Sequence, residues 1–273
     1  MASARKLTRP AGREATGRFL AEGPQAVREA LQRALTTVPG SVYEFFGTEG
    51  ALARYADLPA MAAAAGVRVT VVSQQAAAAL SETVTPQGIV AVCSRLDVGL
   101  PAVLAQPPAL VVVLAEIRDP GNAGTVLRTA DAVGAGAVVF AGDSVDPYNG
   151  KCVRASAGSL FHLPVVCGMA VSAAIAALRD AGLQILAADS AGLAELEELS
   201  AAGRLARPTA WVFGNEAHGL PESVAGSADE RVAIAMPGNA ESLNLAAAAA
   251  ICLYASSRAR LQAADRTERG RQC

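Results

Sequence analysis

Three polar residues lie at the start of the most apolar segment of the chain. Glu241, Ser242 and Asn244 stand beside the run from Leu245 to Tyr254, which is apolar enough to form a buried helix. Ser242 can cap that helix, and the first backbone amides of a helix have no partner within it, so they can donate to a ligand. Capping by Ser242 does not explain Asn244, which is a poor residue for a helix interior. The pattern therefore indicates hydrogen bonding to a polar ligand at the base of a buried helix.

A second polar junction follows a predicted buried strand in the segment WVFGNEAHGLPES. Gly214, Asn215 and Glu216 end the strand, and His218 and Gly219 turn the chain. Glycine at both ends of this loop permits tight curvature and close approach of a ligand to the backbone. A single histidine in a loop is more often a turn or surface residue than a catalyst, so we assign no chemistry to His218.

A third junction lies in the segment EIRDPGNAGTVLRTADAVGAG. The chain turns at Pro120 and Gly121, and Asn122 is a suitable N-cap for the helix that follows. Arg128 lies off the apolar face of that helix, and it is either a functional cation or an ordinary surface arginine.

The order of the glycines in this third junction shows whether it could bind a dinucleotide cofactor. A glycine-containing turn after a strand is found in folds that bind nicotinamide or flavin cofactors, but there the glycines follow the order GxGxxG. Here they are Gly121 and Gly124, which do not give that order. We therefore reject a dinucleotide site.

The elements that must position these loops fall into two regions on either side of the proline-rich segment LPAVLAQPPAL. Before it, alternating strand and helix patterns predict a small α/β domain, over residues 1–105 with a basic N-terminal arm. After it, in 106–273, five short apolar runs (LVVVLAEI, AVVFAG, LQILAAD, TAWVFGN and RVAIAMP) are typical of parallel strands buried on both faces. Helical segments between them complete a doubly wound α/β pattern, whose ligands collect where strands end and helices begin.

The bulk composition excludes several classes of protein. Net charge is −2, although residues 1–33 carry seven basic side chains against three acidic ones, and a basic tail begins at Arg258. The longest apolar run is too short to cross a bilayer, and no signal peptide is recognisable. The five cysteines match no zinc or redox spacing and only two histidines are present, so we expect no metal site. These features predict a reduced, cytoplasmic protein without a membrane segment.

Taken together, the three junctions resemble the three motifs of the SpoU-type (TrmH-type) RNA ribose 2′-O-methyltransferases, a branch of the SPOUT superfamily. The matching segments are N-A-G-x-x-x-R at 122–128, F-G-N-E-x-x-G-L at 213–220 and I-x-M-P-G-x-x-E-S-L-N-L-A at 234–246. The segment KCVRASAGSLFHLPV at 151–165 is also similar to the family pattern, as are GRFLAEGPQAV and PQGIVAV nearer the N-terminus.

This resemblance implies a fold and a cofactor. The C-terminal domain would contain a deep trefoil knot, and the N-terminal domain would be a small L30e/L7Ae-like α/β domain that binds the RNA substrate. The cofactor would be S-adenosyl-L-methionine. The residues that the resemblance assigns to its binding are Gly214, Asn215, Glu216, Ile234, Met236 and Leu243.

The resemblance also implies the catalytic residues, which are Arg128, Asn122, Ser242, Asn244 and Glu216. Family proposals make Arg128 the base that removes the 2′-hydroxyl proton. A free guanidinium stays protonated to a pH of about 12, however. Arg128 could equally remain a cation that holds the phosphate of the target nucleotide, and both roles stay open.

The partners implied by the resemblance are RNA and a second copy of the chain. Arg154, Arg13 and Arg18 are predicted to contact RNA phosphates, and a homodimer is predicted through the knotted domain. The two-domain layout favours ribosomal RNA over transfer RNA by analogy alone. The alternatives are a tRNA 2′-O-methyltransferase and a catalytically silent RNA-binding protein of the same fold.

Overall fold

The structure is a computed structural model that describes residues 1–271, with side chains up to residue 266. The predicted basic tail thus lies partly outside the described side chains. The chain divides into two compact units. The first contains Met1–Leu96 and Asp146–His162, and the second contains Asp97–Val145 and the chain from Leu163 onwards.

Helices and strands alternate through most of the chain. The strands are β1 (Arg18–Glu22), β2 (Val42–Thr48), β3 (Val69–Val72), β4 (Ile89–Ser94), β5 (Leu110–Ala115), β6 (Ala137–Ala141), β7 (Val165–Met169), β8 (Gln184–Ala188), β9 (Ala194–Glu195), β10 (Thr209–Phe213) and β11 (Glu230–Ala233). The α-helices are α1 (Ala2–Arg5), α2 (Pro10–Thr16), α3 (Pro24–Thr36), α4 (Glu49–Arg54), α5 (Asp57–Ala64), α6 (Gln74–Ala78), α7 (Leu100–Leu104), α8 (Pro120–Ala132), α9 (Gly150–Ala155), α10 (Val171–Asp180), α11 (Leu196–Ala201), α12 (Glu222–Ala225) and α13 (Leu245–Arg271).

The first unit is built on a four-stranded sheet in the order β1-β4-β2-β3. Helix α3 begins at Pro24, whose fixed φ suits the first helical position. Its buried residues, Val27 and Leu31 among them, recur every three or four positions, so one face of the helix packs inwards. The predicted α/β character of this region is therefore confirmed.

The N-terminal arm, residues 1–17, is folded onto the first unit. Ala4 and Leu7 are buried in a cluster with Leu20 and Phe46. We predicted this arm only as a basic segment, because two short helices joined by one turn give too few residues for a periodic pattern.

Arg13 holds this arm in place. Its buried position differs from the predicted contact with an RNA phosphate. Its side chain is only 3% exposed, and its Nε lies 2.7 Å from Oδ2 of Asp146. Its Nη1 donates to the carbonyl oxygens of Leu7 at 3.0 Å and Thr8 at 3.2 Å. The prediction that Arg13 contacts RNA phosphate is corrected accordingly, since a buried guanidinium with these partners is not available to a phosphate.

The second unit is built on a seven-stranded sheet in the order β7-β6-β5-β10-β8-β11-β9, and its strands pair in parallel. On one face Val113, Val139 and Val212 pack with Ile175 of α10 in a buried cluster. On the other face Trp211 donates from Nε1 to Oγ of Ser256 on α13 at 2.8 Å. Helices therefore cover both faces, which confirms the doubly wound α/β prediction.

Two details differ from the sequence-based expectation. Strands β7 and β9 extend the five predicted strands to seven, and β9 has only two residues, too few for a recognisable pattern. The boundary between the units follows Leu96 rather than residue 105, and Asp146–His162 joins the first unit.

The threading of a knot stays a prediction. Among the described residues, no helix is long and apolar enough to cross a bilayer.

Replacing Arg13 should destabilise the first unit. In Arg13→Met, Asp146 loses its cation and two backbone carbonyl oxygens lose their donor, so we expect the free energy of unfolding to fall by about 2–4 kcal/mol. Arg9→Met, on the exposed surface of the same arm, is the matched control and should change it by less than about 0.5 kcal/mol. Urea unfolding followed by circular dichroism measures both. Equal stability of the two variants would contradict the structural role of Arg13.

Candidate active site

A cavity of about 420 Å³ opens where the second unit's strands end. Its lining includes residues that follow β8 and β10, together with the start of α13. Carboxyl ends of parallel strands meet at one edge of a sheet, which is where doubly wound folds bind ligands. The lining contains the six residues predicted to bind the cofactor and also Ser242: Gly214, Asn215, Glu216, Ile234, Met236, Ser242 and Leu243.

The turn after β10 is closed by its own backbone. The amide of Asn215 donates to the carbonyl of Gly219 at 3.0 Å, and the amide of Gly219 donates back at 2.8 Å. A Cβ on Gly214 would lie 2.4 Å from the carbonyl carbon of Gly219, closer than any side chain allows. Glycine is therefore required at position 214 for this turn to form the cavity wall.

Glu216 connects this turn to the loop before α8. Its Oε2 accepts from the amide of Arg118 at 3.0 Å, and its Oε1 accepts from the amide of Asp119 at 3.0 Å. Nδ2 of Asn122 also donates to Oε1, at 3.2 Å. One carboxylate thus satisfies two backbone amides and one side-chain amide of the neighbouring loop.

The same two loops meet at the end of β5. Nδ2 of Asn215 donates to the carbonyl of Glu116 at 2.9 Å. Glu116 has a φ of 58°, an uncommon left-handed conformation for a residue other than glycine. Such conformations persist where the surroundings fix them, often at ligand sites.

The environment of Glu216 favours its ionised form. Burial by itself raises the pKa of this carboxyl group. Hydrogen bonds from the amides of Arg118, Glu216 itself and Asp119, and from the side chain of Asn122, outweigh burial, so the pKa lies below its ordinary value. Glu216 is therefore an acceptor near neutral pH, and it holds the loop rather than exchanging protons.

Asn122 extends the network to the third motif. Nδ2 of Asn244 donates to Oδ1 of Asn122 at 3.1 Å, while Oδ1 of Asn244 accepts from the amide of Ala246 at 2.9 Å. The chain of side chains Glu216–Asn122–Asn244 thus joins all three predicted motifs.

Both predicted helix caps are displaced from their expected positions. Asp119, not Asn122, caps α8, because Oδ1 of Asp119 accepts from the amide of Asn122 at 2.8 Å. Asn244, not Ser242, caps α13. These shifts leave the side chain of Asn122 available for Glu216 and Asn244, and they leave Ser242 exposed on the cavity lining.

Arg128 lies on the exposed side of α8, and the structure does not bring it into this network. Among the described residues, its guanidinium makes no hydrogen bond or ion pair, and it is not one of the residues that line the cavity. It lies six positions after Asn122 in the same helix, which is just under two turns. An exposed cation near a site of this kind is accessible to an anionic substrate.

The two remaining residues predicted to bind RNA lie in the first unit. Nη1 of Arg154 lies 2.6 Å from Oε2 of the buried Glu22. The guanidinium carbon of Arg18 lies 3.8 Å from the ring centre of Tyr43, in a cation–π contact. Both residues retain partial exposure, unlike Arg13.

Sequence reasoning missed part of the cavity lining. Asp189 and Arg231 line it, and Nη2 of Arg231 lies 2.8 Å from Oδ2 of Asp189. Asp189 directly follows β8, so the rule that ligands bind at strand ends could have identified it. Arg231 gave no comparable signal, because it lies within β11.

Comparisons with known proteins identify the family of this chain. The model of the SpoU rRNA methylase family matches residues 109–254, and a model for RNA 2′-O ribose methyltransferase substrate binding matches residues 20–98. The chain belongs to the SpoU rRNA methylase family. The resemblance inferred from the three motifs is thereby confirmed.

Similar proteins of this family cover nearly the whole chain. The 23S rRNA (guanosine(2553)-2′-O)-methyltransferase RlmP of Bacillus subtilis is 33% identical over 92% of this chain and 92% of its own length. The crystal structure of an AdoMet-bound rRNA methyltransferase from Sinorhizobium meliloti matches with a TM-score of 0.79 and 30% identity, covering 94% of this chain and 93% of that one. AviRb of Streptomyces viridochromogenes, in complex with AdoMet, gives a TM-score of 0.79 and 26% identity, covering 96% and 98% of the two chains.

Changing Glu216 to Gln should weaken the link between the loops in a pH-dependent way. The lowered pKa of Glu216 means that its stabilisation is complete above its unfolded-state pKa of about 4.3 and is lost as the pH falls through the folded-state pKa. In Glu216→Gln, one acceptor oxygen becomes a donor, so we expect amide hydrogen exchange at Arg118 and Asp119 to accelerate about two- to tenfold at pH 7.

Unfolding free energies of the wild type and Glu216→Gln, measured as a function of pH, test the same role of the Glu216 carboxylate. The difference between the wild type and Glu216→Gln should be constant at neutral pH and should shrink below a pH of about 4.3. Glu198→Gln, an exposed change in the same unit, is the control and should leave the exchange at both amides unaltered. A difference that grows on acidification would refute the assigned role of the carboxylate.

Proposed function

We propose that this protein transfers a methyl group from S-adenosylmethionine to a ribose 2′-hydroxyl of 23S ribosomal RNA, in the cytoplasm. The observation that carries the proposal is the network of Glu216, Asn122 and Asn244, which joins the three family motifs beside a cavity that Glu216 itself lines. Membership of the SpoU rRNA methylase family supports the reaction type. The names of the relatives, which act on 23S rRNA, support the substrate.

The cavity fits a cofactor of this kind. A volume of about 420 Å³ lies within the range of about 300–1,000 Å³ for small-molecule sites. Ile234, Met236 and Leu243 supply apolar surface for a planar ring system, and Gly214 permits close approach to the backbone. When bound, S-adenosylmethionine supplies a methyl group already activated by a positively charged sulfur.

With the methyl group already activated, the main work of the protein is to orient the hydroxyl and assist loss of its proton. Ser242 lies on the cavity lining and offers a hydroxyl, and the amides of Asn122 and Asn244 are fixed by their mutual hydrogen bond. We assign to Arg128 the role of a cation that binds the phosphate next to the target ribose. Arg128 is exposed, so an RNA phosphate can reach it. A guanidinium also matches a phosphate with two parallel hydrogen bonds.

RNA phosphates would also meet cations of the first unit. Arg18 keeps partial exposure, whereas Arg13 is committed to Asp146 and Arg154 to Glu22. Each phosphate contact adds about 0.7–0.9 to the slope of log affinity against log salt, so Arg18→Ala should flatten that slope. An unchanged slope would show that the substituted arginine does not contact an RNA phosphate.

A homodimer through the second unit completes the proposal. The described part of α13 exposes an apolar row with helical spacing, in which Ile251, Tyr254 and Leu261 are 40%, 61% and 55% exposed. Large apolar side chains repeated along one face of a helix favour burial against another surface. A second copy of this chain is the occupant that the family resemblance implies.

Arg128→Ala tests the catalytic proposal. We expect transfer of labelled methyl groups from S-adenosylmethionine to protein-free 23S rRNA to fall about 10²- to 10³-fold, because the target ribose loses the phosphate anchor that positions it. Binding of S-adenosylhomocysteine, measured by calorimetry, should change less than about threefold, since Arg128 does not line the cavity. Arg128→Lys, which keeps the charge, should retain more activity than Arg128→Ala.

The control is Arg207→Ala, another exposed arginine of the second unit, which should methylate as the wild type does. Full turnover by Arg128→Ala would rule out both roles considered for this residue. Cofactor binding without transfer to rRNA but with transfer to tRNA would favour the tRNA enzyme. Absence of cofactor binding in the wild type would favour the silent RNA-binding protein.

Tyr254→Asp tests the dimer. A charge in the centre of the exposed row on α13 should turn a dimer of about twice 27.6 kDa into a monomer in analytical ultracentrifugation. Val71→Asp places the same charge on an apolar residue that is 65% exposed in the first unit, and it should leave the dimer intact. A wild type that sediments as a monomer at micromolar concentration would disprove this part of the proposal.

A further inference from the structure

The first unit contains a cavity of its own, of about 410 Å³. One wall is the start of α3, with Pro24 and Gln25, and another is the loop before β4, with Thr83, Thr85 and Gln87. Glu22 and Arg154 also line it. None of these side chains belongs to the site described in the second unit.

A buried ion pair organises this cavity. Glu22 is only 6% exposed, and its Oε2 lies 2.6 Å from Nη1 of Arg154. Its Oε1 accepts a hydrogen bond from the hydroxyl of Ser81 and, at 3.3 Å, another from that of Thr83. The carboxylate therefore fixes the loop before β4 to the end of β1, and the arginine neutralises its charge.

The chemistry of the lining indicates a neutral, hydrogen-bonding ligand. Gln25 and Gln87 carry amides, which both donate and accept, and Thr83 and Thr85 carry hydroxyls. Nε2 of Gln25 donates to Oε1 of Glu29 at 3.0 Å, which leaves its amide oxygen as an acceptor. Because Glu22 and Arg154 cancel each other, the lining offers no uncompensated positive charge for a phosphate.

A nucleobase fits these features. Its flat faces are apolar and its edges carry donors and acceptors, and side-chain amides pair well with such edges. Proteins read RNA sequence mainly through unpaired bases turned out of the helix, which enter pockets of this kind. The ring of Pro24 and the methyl group of Ala157 provide apolar contact for a base face.

We propose that this cavity receives one unpaired nucleoside of the RNA substrate and reads its base edge through Gln25 and Gln87. The proposal rests on the proposed function, since it assumes an RNA substrate. It assigns to the first unit a base-reading site, in addition to phosphate contacts. Arg154 becomes a positioning residue here, because it acts through Glu22 on the loop that carries Thr85 and Gln87.

The double variant Gln25→Ala/Gln87→Ala tests the proposal in the full-length protein. Filter binding to a protein-free 23S rRNA fragment that the wild type binds should weaken about five- to 50-fold, as expected for loss of paired contacts to one base edge. The KM for RNA should rise by a similar factor, whereas kcat at saturating RNA and the affinity for S-adenosylhomocysteine should stay within about twofold.

The matched control is Gln32→Ala/Gln75→Ala, which removes two exposed glutamines of the same unit that do not line the cavity. It should bind and methylate RNA as the wild type does. A second variant, Thr85→Trp, fills the cavity from an exposed position and should weaken RNA binding without lowering the melting temperature.

The outcomes separate this proposal from the proposed function. RNA affinity of the Gln25→Ala/Gln87→Ala variant equal to that of its control would overturn the base-reading site, even if methylation proceeds normally. A wild type that binds RNA but transfers no methyl group would overturn the proposed function, while the binding comparison would still decide the role of the cavity. Weaker RNA binding confined to the cavity variants supports the proposal.

Discussion

The carboxylate of Glu216 is the interaction on which the candidate active site depends. Three chain segments converge at the strand ends of the second unit: the loop that leads into α8, the turn after β10 and the segment before α13. Glu216 accepts from the amides of Arg118 and Asp119 and from the side chain of Asn122, which in turn accepts from Asn244. Hydrogen bonds to an ionised acceptor are about twice as strong as neutral ones, so a single charge orders the loop before α8. Without it, two backbone amides and two asparagine side chains would lose their fixed positions.

This arrangement explains why asparagine occupies both linking positions. Each amide presents a donor and an acceptor, so a chain of asparagines can pass from a carboxylate to a helix terminus without a titratable group. Asn122 donates to Glu216 and accepts from Asn244, and Asn244 accepts from the amide of Ala246. Aspartate at position 122 would place a second negative charge beside Glu216, and leucine would leave its polar neighbours unpaired. Asn244, at the base of the apolar helix α13, is therefore satisfied by Asn122 of the first motif and by the first turn of its own helix.

Sequence reasoning recovered five of the seven strands of the second sheet and the loops that form its cavity, because buried parallel strands are continuous apolar runs and their ends carry glycine and polar residues. It could not recover the partners of those polar residues. Asn122 and Ser242 are both good caps by residue type, yet Asp119 and Asn244 occupy the cap positions. A shift of two or three residues does not change the local pattern, and only the tertiary contacts of Asn122, with Glu216 and with Asn244, distinguish the alternatives. Arg13 was misjudged for the same reason, since its acidic partner Asp146 lies 133 positions away.

Charge compensation within the first unit constrains how it can recognise RNA. The whole chain carries a net charge of −2, so no general field attracts a polyanion. Arg13 pairs with Asp146, Arg154 with Glu22 and Arg28 with Asp57, so part of the positive charge of this unit is compensated internally. The exposed basic residues of the arm, Arg5, Lys6 and Arg9, remain available. With few phosphate contacts to supply affinity, recognition must depend more on neutral hydrogen bonds and on shape, and those interactions respond weakly to salt. For the RNA substrate of the proposed function, the internal ion pairs of this unit would therefore favour selective over nonspecific binding.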